Sequence, residues 1–210
     1  MTDRSDGRLH SEACARNRDP IGDALALILP PSGTVLEIGA GTGQHAVFFS
    51  RRFPALSWQP LDRPEWLGSI TAWRDAEGPP NLHAPVRFDL YDPELPDAVM
   101  AKAPFAALVS INVLHIAPAA ATAHLFRHAL AVLPPEAPVF VYGPFIDPTR
   151  PLEPSNAAFD AFLRRRDPES GLRSVTDVDA TARSFGYRLE ADQPMPANNR
   201  ARWWRRTPSS

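Results

Sequence analysis

The 210-residue chain has one cysteine, Cys14, which excludes an intrachain disulfide and a thiolate metal cage. Its six histidines are scattered without ligand spacing. His124 and His128 lie four apart on an expected helix, but no third ligand falls near them, and no metal site is expected. Neither sign of charge dominates: 22 Lys and Arg face 24 Asp and Glu, a formal net charge of −2. Such a chain lacks the electrostatic footprint of a protein that binds nucleic acid or an anionic membrane. No run approaches the roughly 20 apolar residues of a membrane-spanning helix. The opening MTDRSDGRLHSEACARNRDP is charged and has no apolar centre, so it does not read as a secretory signal, and a cytoplasmic location is expected.

Proline is plentiful instead. The 24 prolines are roughly twice the usual share and fall mostly between apolar runs, as rigid loops would. With 44% hydrophobic and 22% charged residues, the composition is that of one globular domain with a sizeable core.

Periodicity organises the chain. After a polar stretch of 19 residues, Pro20 opens a helix on which Ile21, Leu25 and Ile28 are spaced to share a face, and Pro30 and Pro31 stop it. Val35–Ile38 reads as a buried strand and Gln44–Phe53 as the helix behind it. LSWQPLD, Leu56 to Asp62, is a second strand, and Trp66, Ile70 and Trp73 mark the next helix face. VRFDL (86–90) and ALVSINV (107–113) are third and fourth strands. A stripe of Leu125, Phe126, Ala129, Leu130 and Leu133 follows, and VFVYG (139–143) is the fifth strand. This alternation implies an α/β domain with right-handed crossovers and a parallel sheet covered by helices on both faces. The proline-rich GPFIDPTRPLEPS is long enough for a lid or binding loop. Ser155 is a plausible N-cap for a helix carrying Phe159, Phe162 and Leu163. Thr176 and Asp179 resemble a capping box, and Gly186 ends that helix. Tyr187–Ala191 and Ala201–Arg206 read as two last strands joined through QPMPANNR.

Strand, glycine turn and helix is the geometry that brings a ligand to a helix N-terminus at the carboxyl edge of a sheet. Here it is Glu37-Ile-Gly39-Ala40-Gly41-Thr-Gly43. A P-loop is excluded, because Gly43-Gln44-His45 supplies neither the lysine nor the hydroxyl. The dinucleotide pattern is met formally by Gly41-Thr-Gly43-Gln-His-Ala46, a weak match. The acid-x-G-x-G-x-G form suits S-adenosylmethionine better. Asp62 closes the second strand and can accept two ribose hydroxyls at once. Asp89 and Leu90 close the third, suited to the adenine amino group and ring. Three carboxylates would repel a pyrophosphate, whereas they suit an adenosine bearing a diol and an ammonium.

On these motifs the chain resembles the class I S-adenosylmethionine-dependent methyltransferases. ARNRDPI, EIGAGTGQHAVFFS, LSWQPLD, NVLHIAP, YGPF, SNAAFD, RRRDPESGLR and MPANN narrow that to a resemblance to the methyltransferase-like protein 26 family, from about Arg16 to about Arg206. It departs at Leu61, where the family often has a serine or similar small residue. The resemblance implies a single-domain Rossmann-like fold, with a seven-stranded, mostly parallel sheet in the order 3-2-1-4-5-7-6. It implies residues 20–210 as the methyltransferase domain and residues 1–19 as a segment that caps the active site. It also implies a cofactor contact set of Arg16, Glu37, Gly39, Ala40, Gly41, Gly43, His45, Asp62, Asp89, Leu90 and Asn112.

Methyl transfer is an in-line displacement on a sulfonium carbon, so the protein must align the nucleophile and, for a hydroxyl or thiol, remove its proton. His115 is the candidate base near neutral pH. Asn17, Tyr142 and Asn199 join it as catalytic candidates, with Tyr142 pointing either into the site or at a sheet neighbour. SINV is not the Asn-Pro-Pro-aromatic motif used on exocyclic amines of bases. The arginines at 164–166 and 200–206, with Trp203 and Trp204, do not outweigh the acidic balance, so the expected acceptor is a small molecule. Two alternatives stand: an oxidoreductase binding a nicotinamide dinucleotide, and a non-catalytic protein binding the donor or a partner.

Overall fold

A computed structural model describes residues 6–206, together with the backbone of residues 2 and 3. A two-residue antiparallel pair, β1 (Thr2–Asp3) and β2 (Leu9–His10), precedes α1 (Glu12–Ala26). Strands and helices then alternate: β3 (Gly33–Ile38), α2 (Gln44–Arg52), β4 (Leu56–Asp62), α3 (Pro64–Glu77), β5 (Val86–Arg87), α4 (Asp97–Met100), β6 (Ala107–Ile111), α5 (Ala121–Val132) and β7 (Val139–Ile146). The remainder is α6 (Pro154–Arg166), β8 (Arg173–Ser174), α7 (Val175–Ser184), β9 (Tyr187–Met195), a tight helical turn over Pro196–Asn198, and β10 (Asn199–Arg206).

The main sheet runs β5-β4-β3-β6-β7-β10-β9. Counted in chain order within that sheet, this is 3-2-1-4-5-7-6. It differs from the expected seven strands in detail. Among the described residues β8 adds an eighth by pairing with β7, and β10 is antiparallel to both neighbours, so the sheet is mixed. Successive residues of a strand face opposite ways, and the two faces bury separate cores. Leu36, Ile38, Leu108, Val139 and Val141 pack on Leu125, Phe126 and Ala129 of α5 and Val178 and Ala182 of α7. Val35, Val109, Phe140 and Tyr142 pack on Ile21 and Leu25 of α1, Ala46 and Phe49 of α2, and Trp73 of α3. Both faces being covered explains why the central strands read as continuous apolar runs.

Several elements depart from the sequence expectation, each for a physical reason. α1 starts at Glu12, capped by the Ser11 hydroxyl, and runs through Pro20 rather than from it. A proline inside a helix costs about 3 kcal/mol. The complete burial of Ile21, Ala24 and Leu25 offsets it, at about 1.5–3 kcal/mol for each large side chain. β5 stops after Arg87, because Asp89 Oδ1 accepts from the Tyr91 N–H and Asp92 Oδ2 from the Asp89 N–H. These side-chain turns draw the backbone off the ladder. β6 ends at Ile111, before the left-handed Asn112 (φ 59°). β7 absorbs the first four residues of the proline-rich loop, since β10 and β8 both pair with its end (Pro144 with Asn199, Phe145 with Arg173). α6 starts after Glu153 rather than after Ser155, with Pro154 in its first turn and no side-chain cap. Phe162 and Leu130 face solvent. Asp179 makes no capping box: its carboxylate accepts from Arg202 Nη2 and Trp204 Nε1, both at 3.0 Å.

No helix among the described residues is long and apolar enough to cross a membrane.

Candidate functional site

The parallel registers pair Ile38 with Leu61 and Ile111 with Tyr142, so β3, β4 and β6 end side by side at one edge of the sheet, and β7 runs past them to Ile146. The glycine turn rises from that edge with φ of +81° at Gly39, +58° at Gly41 and +92° at Gly43, a region that glycine alone enters readily. Their surroundings differ. A Cβ on Gly39 would overlap Val113 Cγ2, and one on Gly43 would lie 2.8 Å from Ile70 Cα. One on Gly41 would meet nothing within 4 Å. Packing therefore requires two of the glycines, and the third opens onto unfilled space.

Two carboxylates belong to this end of the sheet, Asp62 at the turn and Glu37 buried just before it. Asp62 accepts from the Gly41 N–H at 2.6 Å and the Arg63 N–H at 2.7 Å, so the acid of β4 holds the turn itself. Burial raises its pKa above the usual carboxylate value. Glu37 is 1% exposed. Its Oε2 accepts from Trp58 Nε1 at 2.8 Å, while its Oε1 is buried with no hydrogen-bond partner. Burial pushes its pKa up to about 7, partly opposed by the Trp58 bond and reinforced by the nearby Asp62 charge. Asp89 follows Phe88, whose N–H donates to the Asp62 carbonyl, and Asp89 closes a turn with Tyr91. Leu90 and Ala40 are buried, Leu90 within the α5 core.

The wall over the turn is α1. His45 is buried, and its pKa is lowered to about 4, first by burial and then by Arg18. It is thus neutral, and its Nε2 lies 2.8 Å from Asn17 Oδ1, an atom that only accepts. The Asn17 side chain also hydrogen-bonds the Tyr142 hydroxyl, whose pKa is raised by burial. Tyr142 therefore points at α1, and three candidate residues from α1, α2 and β7 form one chain of hydrogen bonds. Arg16 is not brought in: it pairs with Glu12 at 3.3 Å on the exposed face of α1.

On the other side of β7, a Cβ on Gly143 would lie 3.3 Å from His115 Nδ1 and 3.6 Å from Asn112 Oδ1, so these two side chains share one small space. Asn112 is left-handed and donates its N–H to the Tyr142 carbonyl at 2.8 Å. His115 is buried against Phe159, with ring centroids 5.5 Å apart. Burial and then Arg173 lower its pKa to about 4, well below the near-neutral value expected of it. The loop bearing His115 is held by residues not singled out from the sequence. Arg173 donates to the Leu114 and Ala117 carbonyls, the Gly171 N–H to the His115 carbonyl, and Ser170 Oγ to the Ile116 carbonyl. The RRRDPESGLR motif was the available signal.

Asn199 lies farther along the edge. It donates to the Pro196 and Ala197 carbonyls, next to a non-glycine pair, Ala197 and Asn198, at φ of +56° and +57°. With Asn156 of α6 it lines a cavity of about 120 Å³ beside the end of β7. A larger cavity of about 280 Å³, between α1, α2 and α3, takes in none of the glycine turn.

The family model described as protein of unknown function (DUF938) matches residues 8–206. The chain belongs to this family. The matched span includes α1 and the MPANN turn as well as the glycine turn. The fold of the DUF938 chain is that of methyltransferase structures. Mitomycin 7-O-methyltransferase superposes with a TM-score of 0.76 at 19% identity, over 92% of this chain and 55% of that one. Human N-acetylserotonin methyltransferase, solved in complex with the methyl donor, gives 0.76 at 18%, over 93% and 53%. An O-methyltransferase family protein from Burkholderia thailandensis gives 0.75 at 15%, over 95% and 59%. The chain thus spans little more than half the length of these enzymes.

Proposed function

We propose that this protein is an S-adenosylmethionine-dependent methyltransferase acting on a small molecule, akin to the methyltransferase-like protein 26 family. The observations that carry this reading are the open space at Gly41, whose N–H Asp62 holds, and the buried, unpartnered Glu37 Oε1 two residues before the glycine turn. A buried acceptor without a donor is costly and fits a ligand cation. In this reading Glu37 takes the donor's ammonium, Asp62 its ribose hydroxyls, and Asp89 and Leu90 its adenine. Asn112, Ala40, Gly39 and Gly43 line the rest. The adenosine conjugate is favoured over a dinucleotide, because a pyrophosphate at Gly41 would face two buried carboxylates.

When bound, S-adenosylmethionine supplies a methyl group already activated on a sulfonium. The chain's own residues align the acceptor and remove its proton. His115, unprotonated above about pH 4, is ready to take a proton from an acceptor hydroxyl, and Asn112 beside it orients that group. The Asn17–His45–Tyr142 chain keeps α1 as the cap that excludes water. The mechanism uses no residue as a covalent nucleophile.

Calorimetric titration with S-adenosylhomocysteine and with NAD tests the assignment: the first is expected to bind and the second not. Asp62→Ala removes charge-assisted contacts of about 1.5–3 kcal/mol, so S-adenosylhomocysteine affinity should fall roughly tenfold or more. Unchanged affinity in that variant would place the ribose elsewhere.

A further inference from the structure

The cavity beside β7 and α6 sits one helical turn from His115. Asn156 lines it, and Phe159, three residues on and on the same face of α6, meets the His115 ring. At about 120 Å³ it suits a small substituent or the edge of a ring rather than a polymer. Phe145, Leu152, Pro194 and Met195 give it apolar walls.

Its charges are largely spent on one another. Asp147 lies 3.3 Å from Arg150 and 3.6 Å from Arg200, and Arg200 also bonds Asp192 at 2.6 Å. Glu153 is the acid left without a counter-charge among the described residues, which disfavours a carboxylate ligand. The unspent groups are neutral. Asn156 is 7% exposed; its Nδ2 donates to the Asn198 carbonyl, while its Oδ1 has no partner among the described residues. Asn199 Oδ1 is likewise unpartnered, its Nδ2 being taken up by Pro196 and Ala197. At the start of α6, Glu153 makes no side-chain cap, so the N–H of the lining residue Asn156 is left without one. Two free acceptors beside a free donor, between balanced charges, complement a group that both donates and accepts.

We propose that this cavity is the acceptor-recognition subsite and takes an uncharged carboxamide on a small ring compound whose nucleophilic hydroxyl reaches His115. The assignment rests on the methyltransferase reading. The test uses protein loaded with S-adenosylhomocysteine and three matched phenols: 4-hydroxyphenylacetamide, 4-hydroxyphenylacetate and tyramine. Calorimetry should show the amide binding at least about tenfold tighter than the other two. Asn156→Ala should lose that preference with S-adenosylhomocysteine affinity unchanged. Leu152→Trp, a loop change that leaves the bonds of Asn156 intact, should lose amide binding by filling the space. An amide that binds no better than the acid or the amine, or that is indifferent to both variants, overturns the subsite. Failure of S-adenosylhomocysteine to bind would instead bring down the methyltransferase reading itself.

Discussion

Glu37 shows how burial turns one side chain into a pH-dependent element. In the folded chain it holds its proton up to about pH 7, whereas the ordinary value is 4.5. Between those values the native state binds more protons than the unfolded one, so this contribution to stability falls as pH rises and reaches its full penalty above pH 7. Glu37→Gln removes the titration. Relative to wild type, the variant should gain on the order of 3 kcal/mol between pH 5 and pH 8, read from urea unfolding at both. An equal offset at the two pH values would refute the assignment. His115 makes the opposite case, a base kept neutral. Its Ala variant should slow turnover by about 10²–10⁴ while leaving S-adenosylhomocysteine affinity intact. Wild-type turnover should show no inflection from His115 between pH 6 and 9; one near 6.5 that vanishes in the variant would contradict its depressed pKa. Both residues stand out in the sequence by position, but their protonation does not, because desolvation depends on what folds over them.

Elements tell a similar story through α1. Read locally, Pro20 begins a helix, and the charged residues before it look like a separate segment. In the fold, Ser11 caps the helix nine residues upstream, about two and a half turns, and Asn17 reaches His45 and Tyr142, residues distant in sequence. Pro20 then sits where a backbone donor is missing. Pro20→Ala should restore it and raise stability by about 2–2.5 kcal/mol, the helix-interior penalty less the gain in unfolded-chain entropy. A lower melting temperature in that variant would mean that Pro20 shapes α1 in a way the packing needs. The Leu114–Ala117 loop makes the same point. Its His115 is visible in the sequence, yet the Ser170–Arg173 segment that holds four of its carbonyls is more than fifty residues away, beyond the reach of any local pattern.

The whole sheet is closed by β10, inserted between β7 and β9. Arg202 anchors it, 1% exposed and within 3.0 Å of Asp179 of α7 and 3.1 Å of Asp192 of β9. Removing that one partner leaves two carboxylates facing a void, so Arg202→Ala should cost about 3–5 kcal/mol in chemical denaturation. S-adenosylhomocysteine affinity should change little, because the glycine turn lies on other strands. A variant as stable as wild type would show the pair to be dispensable. By itself the amino-acid sequence determined the alternation of strands and helices, the glycine turn with its acids and the position of His115. These are local facts, written in periodicity and in which residues tolerate a left-handed backbone. Tertiary structure alone decided the eighth strand and the joining of Asn17, His45 and Tyr142. It also decided which glycine faces open space, because contacts and burial between distant segments arise only once the chain has packed.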